Sequence, residues 1–190
     1  MSTWSEVLNR SKGISLDQIR REYLRKLKAH TKRDTILYAS RWLQGFPPNL
    51  PPQHISIHDA DIEGFMEVIY GLNGDKLDLV LHSPGGSPEA AEAIISYLRN
   101  KFKNIRVIVP QQAMSAATMM ACAADVIMMG KHSFLGPIDP QLVLTTELGP
   151  SYVPAQSIID QFEMAQKECE DNPRKLASWV PMLKQYGPHF

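Results

Sequence analysis

The chain has 190 residues, 44% of them apolar, which is enough for one domain with a substantial core and too few for two comfortable ones. Its 20 basic and 20 acidic residues cancel, so no net field points to nucleic acid or to an anionic membrane as a partner. Cys122 and Cys169 stand outside any metal-ligating spacing, the polar N-terminus lacks the apolar core of a signal peptide, and no window approaches the roughly 18 apolar residues of a membrane span; a cytoplasmic protein is expected.

Taken in chain order, Leu16, Ile19, Tyr23, Leu24 and Leu27 recur at helical spacing, with Ser15 and Gln18 forming a capping-box signature in front of them. A short apolar run at 35–39 follows as a strand. The stretch 45–53 carries four prolines and reads as an exposed connector, so residues 1–50 are expected to form an N-terminal helical arm with that connector and 51–190 the main domain. Beyond it the pattern predicts a strand over 54–58, a helix with the stripe Ile62, Phe65, Met66, Ile69 and Leu72, and a buried parallel strand over 77–81.

The turn Ser83-Pro84-Gly85-Gly86-Ser87 leads into a helix with Pro88 at its first position and the stripe Ala91, Ile94, Ile95, Leu98 and Phe102. A strand at 105–109, a second turn at 111–115, a small-residue helix at 116–124 and a strand at 126–129 repeat the same order. Such alternation predicts an α/β fold, a parallel sheet flanked by helices. A glycine- and proline-marked loop at 130–141 and two helices, 154–170 and 173–186, complete the chain.

In open sheets of this kind ligands gather at the carboxyl ends of the strands, where the loops after Leu81, Val109 and Met129 converge. The first offers bare backbone at the mouth of a helix, able to hold an oxyanion, though a tight structural turn explains the two glycines equally well. It lacks the Gly-Lys-Ser/Thr ending of a phosphate loop and the G-x-G-x-x-G spacing of a dinucleotide site. The second places the Ser115 hydroxyl between small residues at a helix start, where a plain N-cap is the competing role. The third brings Asp139, which in an Ile-Asp-Pro-Gln turn also serves to bond its own backbone. His54, His58, Asp59 and Asp61 match no familiar metal spacing, and the nine methionines, five of them near the presumed site, suit adaptable packing; neither a metal nor a cofactor is expected.

Leu81 to Gly86, Ala113 to Thr118 and Leu135 to Gln141, in that order, resemble the signatures of the serine dehydrogenase proteinase family, within the Clp-protease/crotonase superfamily alongside signal peptide peptidase A. The segment 21–44 resembles that family's N-terminal region, so the similarity covers about 15–186. The resemblance implies a Clp-protease/crotonase-like fold and a serine peptidase with Ser115 as nucleophile, the N–H groups of Gly85 and Ala116 as oxyanion-hole donors, and Gly86, Ser87 and Met114 against the substrate. It also implies a peptide or protein substrate and a homo-oligomer: trimer, hexamer or larger ring.

The general base has several candidates. The family's order of nucleophile, aspartate and histidine selects Asp139 and His189; His82, at the end of the strand feeding the first loop, ranks second, and Lys167, among Glu163, Glu168 and Glu170, third. Two other readings stay open: a crotonase-like acyl-thioester enzyme, which needs the oxyanion hole and no serine nucleophile, and a non-catalytic, self-assembling scaffold of the same fold.

Overall fold

Ser15 opens the first long helix as expected, its side chain accepting from the Gln18 N–H at 3.2 Å. In a computed structural model, which describes residues 4–43, 54–139, 141–146 and 149–186, a short helix α1 (Trp4–Ser11) precedes that helix, α2 (Leu16–Thr31). Lys32, in the left-handed region at φ 58°, ends α2 and returns its N–H to the Lys28 carbonyl. Strand β1 (Asp34–Ala39), helix α3 (Ala60–Ile69), strand β2 (Lys76–His82), helix α4 (Pro88–Lys101) and strand β3 (Asn104–Val109) come next. Then follow β4 (Gln112–Ala113), α5 (Ala116–Cys122), β5 (Val126–Met129) and β6 (Phe134–Leu135).

Strands β1, β2, β3 and β5 lie side by side in that order, all parallel. The α/β fold is the one expected. Leu77, Leu79 and Leu81 on β2 and Ile105, Val107 and Val109 on β3 are fully buried, because they alternate along paired strands and so share the one face of the sheet on which the helices pack. Helix α4 lays Ala90, Ala91, Ile94 and Leu98 against them, α3 contributes Phe65 and Ile69, and α5 packs through Ala116, Ala117, Met120 and Ala121. β1, read from the sequence as part of an N-terminal arm, is the edge strand of this sheet.

A second, smaller ladder sits at the carboxyl ends of the strands. Ile57 bridges Gly86, Ser83 bridges Ala113, and β4 pairs with β6, all in parallel. The expected strand over 54–58 is reduced to that single bridge at Ile57, because the chain turns straight into α3.

The chain divides into two compact units, 1–138 and 139–190. The second unit contains an antiparallel hairpin, β7 (Gln141–Thr146) with β8 (Gly149–Pro154), which the sequence reading did not mark. Helix α6 (Ala155–Asp171), a 3-10 turn at Pro173–Lys175 and helix α7 (Leu176–Tyr186) follow, with the Asn172 side chain capping the turn through the Arg174 N–H. Among the described residues no helix is long and apolar enough to cross a membrane.

Two carboxylates are buried in the sheet of the first unit, Asp34 at the start of β1 and Asp78 on β2. Asp78 on β2 is fully buried and register-paired with Arg106 on β3, whose Nε and Nη2 reach its two carboxylate oxygens at 2.9 and 2.7 Å. Arg33, just before β1, brings its Nε to 2.6 Å from Asp78 Oδ1, at an angle too bent for a hydrogen bond, while its Nη2 donates to the Leu77 and Asn104 carbonyls. One carboxylate thus ties three strands, and removing it strands two arginines in a largely apolar layer. Asp78→Ala is expected to destabilise the protein by about 3–5 kcal/mol in urea unfolding, and Asp78→Asn, which keeps the shape but not the charge, to lose a substantial part of the same amount.

Candidate active site

Ser115 sits where β4 turns into α5, and its backbone adopts φ 49° and ψ −121°. Apart from Lys32 it is the one non-glycine residue at positive φ among the described residues. Holding an L-residue there costs on the order of 1–3 kcal/mol, and such strain persists only where surrounding contacts over-determine it. Its side chain makes no N-cap hydrogen bond, so the competing role as a helix cap is not realised. The residue is exposed, and among the described residues no hydrogen bond holds its hydroxyl.

Those surrounding contacts come from both neighbouring loops. Ser83, fully buried, donates its N–H to the Gln112 carbonyl, and its own carbonyl accepts from the Met114 N–H at 3.0 Å. On the far side the Gly136 N–H donates to the Ala113 carbonyl at 2.9 Å. The buried Thr118 hydroxyl lies 2.8 Å from the Ala113 carbonyl and 3.0 Å from that of Gly136, bracing the turn from within α5. Ser83 and Thr118 were given no role from the sequence, since a buried hydroxyl aimed at a neighbouring loop leaves no local pattern.

Against this turn lies Gly85. A Cβ placed on it would stand 2.5 Å from the Met114 carbonyl oxygen, 2.8 Å from Ser115 Cβ and 3.0 Å from the Ala116 nitrogen, and its φ is 94°. Gly86, at φ 151°, is pressed as closely on the other side, its missing Cβ pointing into the Ile57 backbone. Ile57 locks the strand by donating its N–H to the Gly85 carbonyl at 2.7 Å and accepting from the Ser87 N–H at 2.9 Å. The structure therefore brings the Gly85-Gly86 loop and Ser115 together.

The amides differ in availability. Gly85 donates its N–H to the Ser83 hydroxyl at 3.1 Å, whereas the N–H groups of Gly86 and Ala116 find no acceptor among the described residues. Ala116 opens α5, where the first N–H groups have no intrahelical partner. Two unspent donors on adjoining turns beside an exposed hydroxyl form an arrangement able to receive a carbonyl oxygen as it becomes negative.

The remaining expected site residues are placed as follows. Ser87 caps α4, its Oγ accepting from the Ala90 N–H at 3.0 Å and donating to Glu89 at 2.8 Å, so its polar atoms serve the helix. Met114 packs its thioether on the bare face of Gly136. His82 is half-buried, its Nδ1 3.1 Å from the Gln112 carbonyl and its ring 6.0 Å from that of Trp42. Asp139 and Lys167, both exposed, belong to the second unit, and His189 lies outside the described residues. His58 places Nδ1 2.9 Å from Asp61 Oδ2; among the described residues no three His, Cys, Asp or Glu side chains converge as a metal site.

Residues 10–178 match the family model of the ClpP-like SDH-type serine proteinases. The chain belongs to this family. It is 38% identical over 122 residues to uncharacterized protein MJ0137 of Methanocaldococcus jannaschii and 35% identical over 95 residues to uncharacterized protein MJ1495 of the same organism. These alignments cover 64% and 50% of this chain but 40% and 30% of those proteins, so the chain spans well under half of their length. Among solved structures, a mutant of the 1510-N membrane-bound stomatin-specific protease aligns with TM-score 0.45 and 16% identity over 60% of this chain and 58% of that one. The ClpP catalytic domain from Plasmodium falciparum aligns with TM-score 0.42 and 12% identity, over 61% and 62% of the two chains.

The close approach at Gly85 yields a direct expectation for this family member. Gly85→Ala should cost roughly 2–4 kcal/mol, from positive φ and overpacking together, and push the 115 turn out of place. Thermal melts combined with labelling of the serine would show both effects; a stable Gly85→Ala protein with unchanged labelling contradicts the packing described.

Proposed function

We propose that this chain is a serine peptidase that hydrolyses peptide bonds through an acyl-enzyme on Ser115, with the backbone N–H groups of Gly86 and Ala116 as the oxyanion hole. The observation that carries the reading is the strained, exposed Ser115 turn braced against Gly85, with two unbonded amides beside it. Gly85, expected from the sequence to be a donor, spends its N–H on Ser83; in this reading its contribution is the absence of a side chain.

Ser115 Oγ attacks the carbonyl carbon while its proton passes to the general base, and the carbonyl oxygen takes up negative charge between the two amides. Collapse of that adduct breaks the C–N bond, and the base returns the proton to the departing amine. Water then attacks the ester by the same route in reverse, freeing the acid product and the serine hydroxyl. His189, oriented by Asp139, is the first choice of base, followed by His82, whose Nδ1–H donation to the Gln112 carbonyl would leave Nε2 as an acceptor, and then Lys167. No cofactor enters this chemistry. The same reading makes the protein a cytoplasmic homo-oligomer of trimeric, hexameric or larger ring form, acting alone or fed by a partner. A crotonase-like or purely scaffolding role gives no reason for the backbone strain held at a serine.

A fluorophosphonate probe should label the wild type and leave Ser115→Ala unlabelled, and cleavage of unfolded casein should fall at least about 10³-fold in that variant; equal labelling of the two ends the nucleophile assignment. A histidine base predicts a labelling rate that falls on acidification, because a protonated imidazole cannot accept the serine proton. His189→Ala should abolish this dependence with its rate. If His82→Ala does so instead, the base passes to His82.

A further inference from the structure

A polar cavity of about 410 Å³ opens at the carboxyl end of β1, lined by Tyr38, Ser40, Arg41, His54, Ser56 and Asp61 together with two apolar neighbours. It lies wholly in the first unit, and nothing in the acyl-transfer chemistry uses it. We propose that it is a substrate subsite that takes a carboxylate, the side chain of an aspartate or glutamate in the peptide; this rests on the peptidase reading above and names the specificity of that site.

The cavity's single carboxylate, Asp61, has one oxygen engaged: Oδ2 accepts from the Tyr38 hydroxyl at 2.8 Å, from the His58 N–H at 2.9 Å, and lies 2.9 Å from the His58 ring nitrogen. Burial, and then the Asp61 carboxylate beside it, raise the Tyr38 pKa, so the phenol stays protonated and keeps donating. The Arg41 guanidinium is exposed at the rim, and among the described residues no carboxylate pairs with it. The Ser40 hydroxyl and the His54 imidazole add donors around the same space. Arg41, with no carboxylate partner among the described residues, is the group in this lining able to take an anion, and arginine binds carboxylates through paired N–H groups.

Its position relates it to the bond attacked. β1 and β3 are separated by β2, two strand spacings or about 10 Å, and Ser115 follows the short strand that continues β3. Ser56 precedes Ile57, the residue that pairs with Gly86, so the cavity and the amide of Gly86 flank one short stretch of backbone. An extended peptide crossing the strand ends advances about 3.3 Å per residue, which places the acidic side chain roughly three residues from the scissile bond.

Two measurements test this. Cleavage of a mixed decapeptide library by the wild-type protein, read by mass spectrometry, should show aspartate and glutamate enriched about three residues from the cut. Arg41→Gln should remove the enrichment by raising KM with kcat nearly unchanged, and Arg41→Glu should replace it with lysine and arginine. Fluorophosphonate labelling of both variants should match the wild type, showing that fold and nucleophile are intact. Separately, the Ser115→Ala protein is titrated with an acetylated, amidated decapeptide of alanine, serine and leucine carrying one central glutamate, and with its glutamine twin. The glutamate peptide should bind about tenfold tighter, a difference lost on adding Arg41→Gln. No acid enrichment in the library, equal or undetectable binding of the two peptides, or a preference that survives Arg41→Gln overturns the subsite. A protein that cleaves nothing yet still prefers glutamate keeps the subsite and loses the peptidase reading.

Discussion

The contact on which the site depends is the one between Gly85 and the 114–116 backbone. There the two turns approach so closely that a single methyl group would collide with a carbonyl oxygen, a Cβ and an amide nitrogen at once. Since neither turn can retreat, each defines the other. Gly85 is held by Ser83 and Ile57, Met114 by Ser83, and Ala113 by Gly136 and Thr118, so Ser115 is bounded on every backbone side while its hydroxyl is left exposed. Strain at one residue is sustained by a lattice of ordinary hydrogen bonds around it.

That lattice in turn needs a rigid base. The parallel sheet supplies it through fully buried leucine, isoleucine and valine side chains on β2 and β3 and through one buried carboxylate, Asp78, shared by two arginines. The apolar packing is tolerant of small changes, whereas the ion group is specific in register: Asp78 meets Arg106 only if β2 and β3 pair as they do. A one-residue slip would turn every side chain of a strand to the opposite face and separate the charges. The alignment of strand ends, and so the meeting of the Gly85 and Ser115 turns, follows from this pairing.

Much of the fold was legible in the residue pattern. Helical stripes, continuous apolar runs and the proline after Ser87 located α2, α3, α4 and the strands β1, β2, β3 and β5 to within a few residues, because each of those signals reports a local burial requirement. The β7–β8 hairpin was missed: the sequence reading gave 142–153 no assignment, and the Gly149-Pro150 pair that signals a turn falls at the start of β8 instead of between the two strands. The small ladder linking Ile57, Gly86, Ser83, Ala113 and β6 was also invisible, since its strands are one or two residues long and their partners lie far apart in sequence. Ser115, Gly85, Gly86 and Ala116 were named in advance as candidates, but not that Gly85 spends its N–H on Ser83 while that of Gly86 finds no acceptor among the described residues.

The amino-acid sequence by itself determined which elements form and which three loops gather at one end of the sheet, because periodicity, glycine and proline act through neighbouring residues. It also carried the ordered motifs of the family to which the chain belongs. Only the tertiary structure decided that Ser115 is strained rather than a helix cap, that Asp61 holds Tyr38 and His58 through Oδ2, and, among the described residues, which amides remain free and that Arg41 meets no carboxylate. Those outcomes depend on hydrogen-bond partners as near as 2 and as far as 23 residues along the chain, as with Gly85 to Ser83 and Tyr38 to Asp61, and a donor's availability is settled only once every competing acceptor has been placed around it.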